Sequence, residues 1–128
     1  MAILNGFLSY EIILQSPFHK FFEAYNSMMG LSEARVTRTL SKKAIPIAEW
    51  YKTSIDATTD KTNPAWQNPD WYSKLEGTMS VVRVKRGELV RAIWTIDFEK
   101  PSSEIGDPTF IMDNCVAFFT NMDESLLE

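Results

Sequence analysis

Residues Gly77–Lys100, GTMSVVRVKRGELVRAIWTIDFEK, decide the fold. Val90, Ala92, Trp94, Ile96 and Phe98 fall on alternate positions, while Arg91, Thr95, Asp97 and Glu99 take the other face. An alternation of period two is the mark of a strand with one buried side. The preceding segment, Thr78 to Lys85, is rich in β-branched residues, and Lys85-Arg86-Gly87-Glu88 sets a glycine where a tight turn needs positive φ. A long β-hairpin is expected, with Trp94 in its core.

Working towards the N-terminus, Leu8, Tyr10, Ile12 and Leu14 alternate with Ser9, Glu11 and Ile13, which predicts a first strand over Phe7 to Leu14. Ser16-Pro17 then supplies an N-cap followed by proline at the first helical position, and Gly30 stands where a left-handed cap closes a helix. Between them Phe18, Phe21, Phe22, Tyr25, Met28 and Met29 recur at three- and four-residue spacing, the stripe of an amphipathic helix. A second strand is expected at Ala34–Leu40. A second helix is expected from Pro46, with Ile47, Trp50, Tyr51 and Ile55 as its apolar stripe. Asp56–Trp71 carries two prolines and no periodicity and reads as a long loop. Beyond the hairpin, Phe110 to Phe119 is apolar on both parities, which predicts a final strand covered on both sides. Asp123–Glu128 follows as an acidic tail. The order is β-α-β-α-β-β-β in one domain over 1–128: an α+β fold with two helices on a mostly antiparallel sheet or small open β-barrel.

Thirteen basic residues against seventeen acidic ones leave a formal charge of −4, which disfavours sequence-independent binding to a phosphate backbone, so no nucleic-acid partner is expected. No run approaches the 18 apolar residues of a membrane span. The apolar start MAILNGFL lacks a basic n-region, and the single Cys115 excludes an intrachain disulfide, so a cytoplasmic protein, or one assembled into a particle or virion, is expected.

The side chains that carry chemistry do not converge in sequence. His19, the one histidine, falls on the polar face of the first helix, and Cys115 lies in an apolar stretch where cysteine behaves as a small hydrophobe. One His and one Cys cannot assemble an ordinary zinc site, and no phosphate-binding glycine loop or nucleophile elbow is present. Asp56, Asp60 and Asp70 lie in or beside the long loop but match no calcium-loop spacing. No catalytic, cofactor or metal residue is therefore assigned. The candidate interface residues are the loop aromatics Trp66, Trp71 and Tyr72, the basic turn Lys85-Arg86 and the acidic Asp123-Glu124, which suit contact with a further copy of the chain or with another protein.

Two family resemblances bear on function. Met29-Gly30-Leu31 followed by Arg35–Leu40, then Glu49-Trp50-Tyr51 and VRVKRGELVRAIW, resemble in element order the tube subunits of contractile phage tails and of type VI secretion, the Hcp-like tubes. That resemblance spans residues 29–100 and implies a small β-barrel stacking as rings around a channel, a non-enzymatic structural role. The opening strand followed by SPFHKFFEAYNSMM is also similar to helix-grip proteins of the Bet v 1 and polyketide-cyclase type and to cone-shaped folds, which implies a small-molecule-binding domain. Those folds need a long terminal helix where this sequence reads as a strand, so the tube reading leads. An immunity or inhibitor protein also fits the size and acidity.

Overall fold

The computed structural model describes residues 4–28, 40–54, 59–82 and 90–127. The chain runs β1 (Leu4–Leu14), α1 (Phe18–Met28), β2 (Leu40–Pro46), α2 (Ala48–Ser54), β3 (Lys74–Val82), β4 (Val90–Lys100) and α3 (Thr109–Ser125), with a single 3-10 turn at Pro69–Trp71. The four strands form one antiparallel sheet in the spatial order β1-β4-β3-β2. The α+β class stands, built on an open sheet.

The expected hairpin is its centre. β3 and β4 pair with Thr78 opposite Thr95 and Met79 opposite Trp94, and the alternation read from the sequence places Ala92, Trp94, Ile96 and Phe98 on the buried face. Leu75, Met79 and Val81 of β3 join them there. Gly77 shares that face, and a Cβ at this position would overlap the Trp94 ring and the Ile47 side chain. Glycine is thus required for close approach: it leaves room for an indole to lie across the neighbouring strand.

All three helices pack on this one face. Tyr25 of α1 meets Trp94 edge-on at 6.2 Å, Phe119 of α3 meets Trp94 at 4.8 Å, and Trp50 of α2 stacks on Phe119 at 5.9 Å with an interplanar angle of 4°. α1 follows the expected stripe, burying Phe21, Phe22 and Tyr25. The space between sheet and helices is filled by these rings.

Three features depart from expectation. Phe110–Phe119 is not a strand but the body of α3, so the order ends β-β-α and there are three helices among the described residues, not two. The physical reason is that α3 is wedged: Ile111, Met112, Cys115 and Phe119 are buried, while Phe118 meets Trp50 of α2 at 5.4 Å. A helix apolar on two sides loses the polar stripe by which it is recognised. Secondly, the strand that follows α1 is Leu40–Pro46, with Pro46 its last residue and not a helix opener. The expected strand at Ala34–Leu40, apart from Leu40, the Gly30 cap and the 85–88 turn lie outside the described residues. Thirdly, Asp123 is no part of a loose tail. Its buried carboxylate accepts from the Gln15 and Ser16 backbone N–H groups at 2.9 Å each and from the Ser16 hydroxyl, fastening the end of α3 to the β1–α1 junction.

The other end of α3 is also held from a distance. Pro108 offers no side-chain cap, and Gln67 Oε1 instead accepts from the Phe110 N–H at 2.7 Å, while Gln67 Nε2 donates to the Asp107 carbonyl. An orphan donor of the first helical turn is thereby satisfied by a residue of the long loop.

Candidate functional site

Between α2 and α3 a half-open groove of about 390 Å³ is walled by Trp50 and Phe118 and floored by Tyr51, Asn114 and Cys115. Its position follows from the packing: the short α2 lies against α3 through Trp50, and the small Ala117 leaves the mouth open. Asn114 Nδ2 donates to the Phe110 carbonyl at 2.9 Å and reaches towards the Tyr51 hydroxyl at 3.5 Å.

Behind this floor lies a knot of polar atoms in an apolar surrounding. The Cys115 thiol lies close enough to the Trp94 indole N–H and to the Tyr25 and Tyr51 hydroxyls for each to alter its neighbour's ionisation. Two of these atoms, the Tyr25 hydroxyl and Trp94 Nε1, are fully buried without a hydrogen-bond partner. An unmet buried polar group costs about 1–3 kcal/mol, so its retention in a core calls for a role. Every group here is neutral. Burial pushes the Cys115 thiol up to about 12, and burial with the nearby thiol raises both tyrosine hydroxyls above their ordinary range. The thiol stays protonated and is not a nucleophile at neutral pH. The site can donate hydrogen bonds to a neutral acceptor and stack against a flat apolar body, with no general base lining it among the described residues.

These shifts carry a sign. Tyr25, Tyr51 and Cys115 are acids whose folded pKa lies above the unfolded value, as does that of Tyr72, raised to about 12 by burial and by Asp107. Their contribution is fully present below the unfolded values of 9 and 10 and is lost as pH climbs through the folded ones. Stability is therefore expected to fall from about pH 9 upward, with tyrosinate absorbance of Tyr25, Tyr51 and Tyr72 appearing together with loss of the far-ultraviolet dichroism. Smooth titration of all four tyrosines in a still-folded protein would contradict this.

The residues singled out from sequence divide. Trp66 and Trp71 come together edge-on at 6.2 Å, beside a shallow pocket of about 630 Å³ that includes Trp71, Ile105 and Thr109. Tyr72 is not a surface aromatic: it is buried, its hydroxyl donates to the Gly106 carbonyl at 2.7 Å, and its ring meets Phe98. Asp123 is buried and internally bonded, whereas Glu124 is exposed, and Lys85 and Arg86 lie outside the described residues. His19 is exposed on α1. Asp60 accepts from the Thr62 N–H and hydroxyl, which hold its carboxyl below the usual range, and Asp70 pairs with Lys52 at 2.7 Å. Among the described residues no group of three or more His, Cys, Asp or Glu could hold a metal, and no helix is long and apolar enough to cross a membrane. The groove residues were missed because Trp50 and Tyr51 read as an ordinary helix stripe; the signal was Asn114, a polar side chain in the middle of an apolar run.

Comparison with known proteins accords with this architecture. No protein-family model matches the chain. It is 41% identical to the uncharacterized protein At1g24010 of Arabidopsis thaliana over 98% of this chain and 96% of that one. It is 27% identical to the uncharacterized Arabidopsis protein At1g24000 over 97% of this chain and 95% of that one. A shorter match, 37% identical over 59 residues, joins 46% of this chain to 37% of Arabidopsis MLP-like protein 423. In structure it is similar to Arabidopsis At1g70830, a member of the major latex protein family, with a TM-score of 0.54 at 14% identity over 96% of this chain and 94% of that one. The fold is Bet v 1-like. The tube-subunit resemblance, with its ring-forming barrel and virion setting, is overturned by these likenesses and by α3, the terminal helix that a helix-grip protein requires.

Proposed function

We propose that this chain, which belongs to the same family as the Arabidopsis protein At1g24010 and has a Bet v 1-like fold, acts by holding a small molecule rather than by converting one. The occupant is mostly apolar, flat enough to lie against the Trp50 and Phe118 rings at the groove wall, and carries a neutral acceptor such as a carbonyl. The observation that supports this reading is the groove floor, where neutral donors gather and two of the buried groups behind it have no partner. The protonated, buried Cys115 thiol supports a non-enzymatic role. A single, buried cysteine suits a reducing, cytoplasmic setting.

The test is a fluorescence titration with the neutral probe N-phenyl-1-naphthylamine. Ala117 is exposed at the groove mouth, so Ala117→Trp fills the opening without entering the core. Probe affinity is expected to fall at least tenfold with the circular dichroism unchanged, whereas Phe7→Glu, on the opposite face of the sheet, leaves it intact. Equal affinity in Ala117→Trp and the parent would overturn the assignment.

A further inference from the structure

The two edges of the sheet are treated differently. β2, one edge among the described residues, ends in Pro46, and proline is a usual guard against edge-to-edge pairing. β1, the other edge, is LNGFLSYEIIL, eleven residues with no lysine, no proline and one charge, Glu11, which already pairs with Arg91 of β4 at 3.2 Å. Along its whole length β1 bonds to β4, and among the described residues its other edge bonds to nothing. Leu4, Phe7, Tyr10 and Ile13 on this strand are 36%, 68%, 51% and 47% exposed.

We propose that this edge is the contact between two copies of the chain, β1 pairing antiparallel with β1 to make one continuous sheet. The spacing supplies the argument. Phe7 and Ile13 stand symmetrically about Tyr10, so a two-fold axis at Tyr10 sets Phe7 of each copy against Ile13 of the other, Leu8 against Ile12, and Tyr10 against itself. The same register sets Ser9 against Glu11, a hydroxyl donor against the strand's only carboxylate. Phe7 and Ile13 lie on the outer face of the sheet and Leu4 and Tyr10 on the inner one, so exposed apolar side chains flank the open edge on both sides. The contact is independent of the groove between α2 and α3, which opens on the other face.

Sedimentation equilibrium on the full chain is expected to show a dimer whose dissociation constant rises at least tenfold in Phe7→Glu, a change at an exposed site that leaves the circular dichroism as it was. The register has its own readout. Directly opposed strand residues have Cα atoms about 4.5–5.5 Å apart, within the disulfide range of about 4.4–6.8 Å. Tyr10→Cys should therefore cross-link to itself on mild oxidation, and the one native cysteine, buried Cys115, gives no background. A monomer at every concentration, a dimer indifferent to Phe7→Glu, or a Tyr10→Cys protein that does not cross-link would each overturn the proposal.

Discussion

Truncating Trp94 to alanine is expected to lower the free energy of unfolding by about 3–5 kcal/mol, the range for removing a large buried aromatic. The indole is wholly buried and touches a ring from each of two helices, Tyr25 and Phe119, so its loss opens a cavity where sheet, α1 and α3 meet. Urea unfolding followed by tyrosine fluorescence and dichroism reads the loss. A coupled result identifies its cause. Gly77→Ala is destabilising in the parent, because the added methyl overlaps the Trp94 ring, and should cost much less in the Trp94→Ala background. Equal costs in both would mean that the indole does not lie over Gly77.

Asp123→Ala is the second large effect, with an expected loss of about 3 kcal/mol or more. Hydrogen bonds to a charged acceptor are each worth roughly 1.5–3 kcal/mol, and this carboxylate receives them from two backbone N–H groups and a hydroxyl in a buried setting. Asp123→Asn keeps one acceptor oxygen and should fall between the parent and the alanine variant. Fluorescence-monitored denaturation of the three proteins measures the series. A loss below about 1 kcal/mol in Asp123→Ala, the net worth of one ordinary hydrogen bond, would show that the junction is held by packing alone.

The hairpin was legible because its physics is local: period two in β4 specifies which face of the strand is buried, and Trp94 could be placed in the core from sequence alone. The first helix was legible for the same reason, through the Phe21, Phe22, Tyr25 stripe, although Ser16, expected as its N-cap, gives its hydroxyl to Asp123 instead and the helix starts at Phe18. α3 was not. Its burial at 111, 112, 115 and 119 follows helical spacing, but Phe110, Val116 and Phe118 fill the gaps because a second helix packs behind it. Asp113 and Asn114 were the available warning, since a strand buried on both faces has no room for two consecutive polar side chains. Misreading that one element removed the terminal helix and so favoured the tube over the helix-grip resemblance. The groove was illegible for a further reason: it forms between residues 50–54 and 114–121, and no local pattern records a contact across some sixty residues. Asp123 taught the opposite lesson, an acidic residue near the end of the chain that is a buried fastener.

The tie between Asp123 and the Gln15–Ser16 junction sets an order of events during synthesis. β1 is made first, yet its only strand partner among the described residues is β4, and its end is fixed by a residue 108 positions later. Loops of that length close late, after local hairpins and helices have formed. The β3–β4 hairpin can assemble from its own residues, whereas β1 and its junction must wait until β4 and Asp123 have been made. During that wait β1 lacks its β4 partner, and an apolar strand unpaired on both sides is the kind of surface on which a partly made chain associates wrongly.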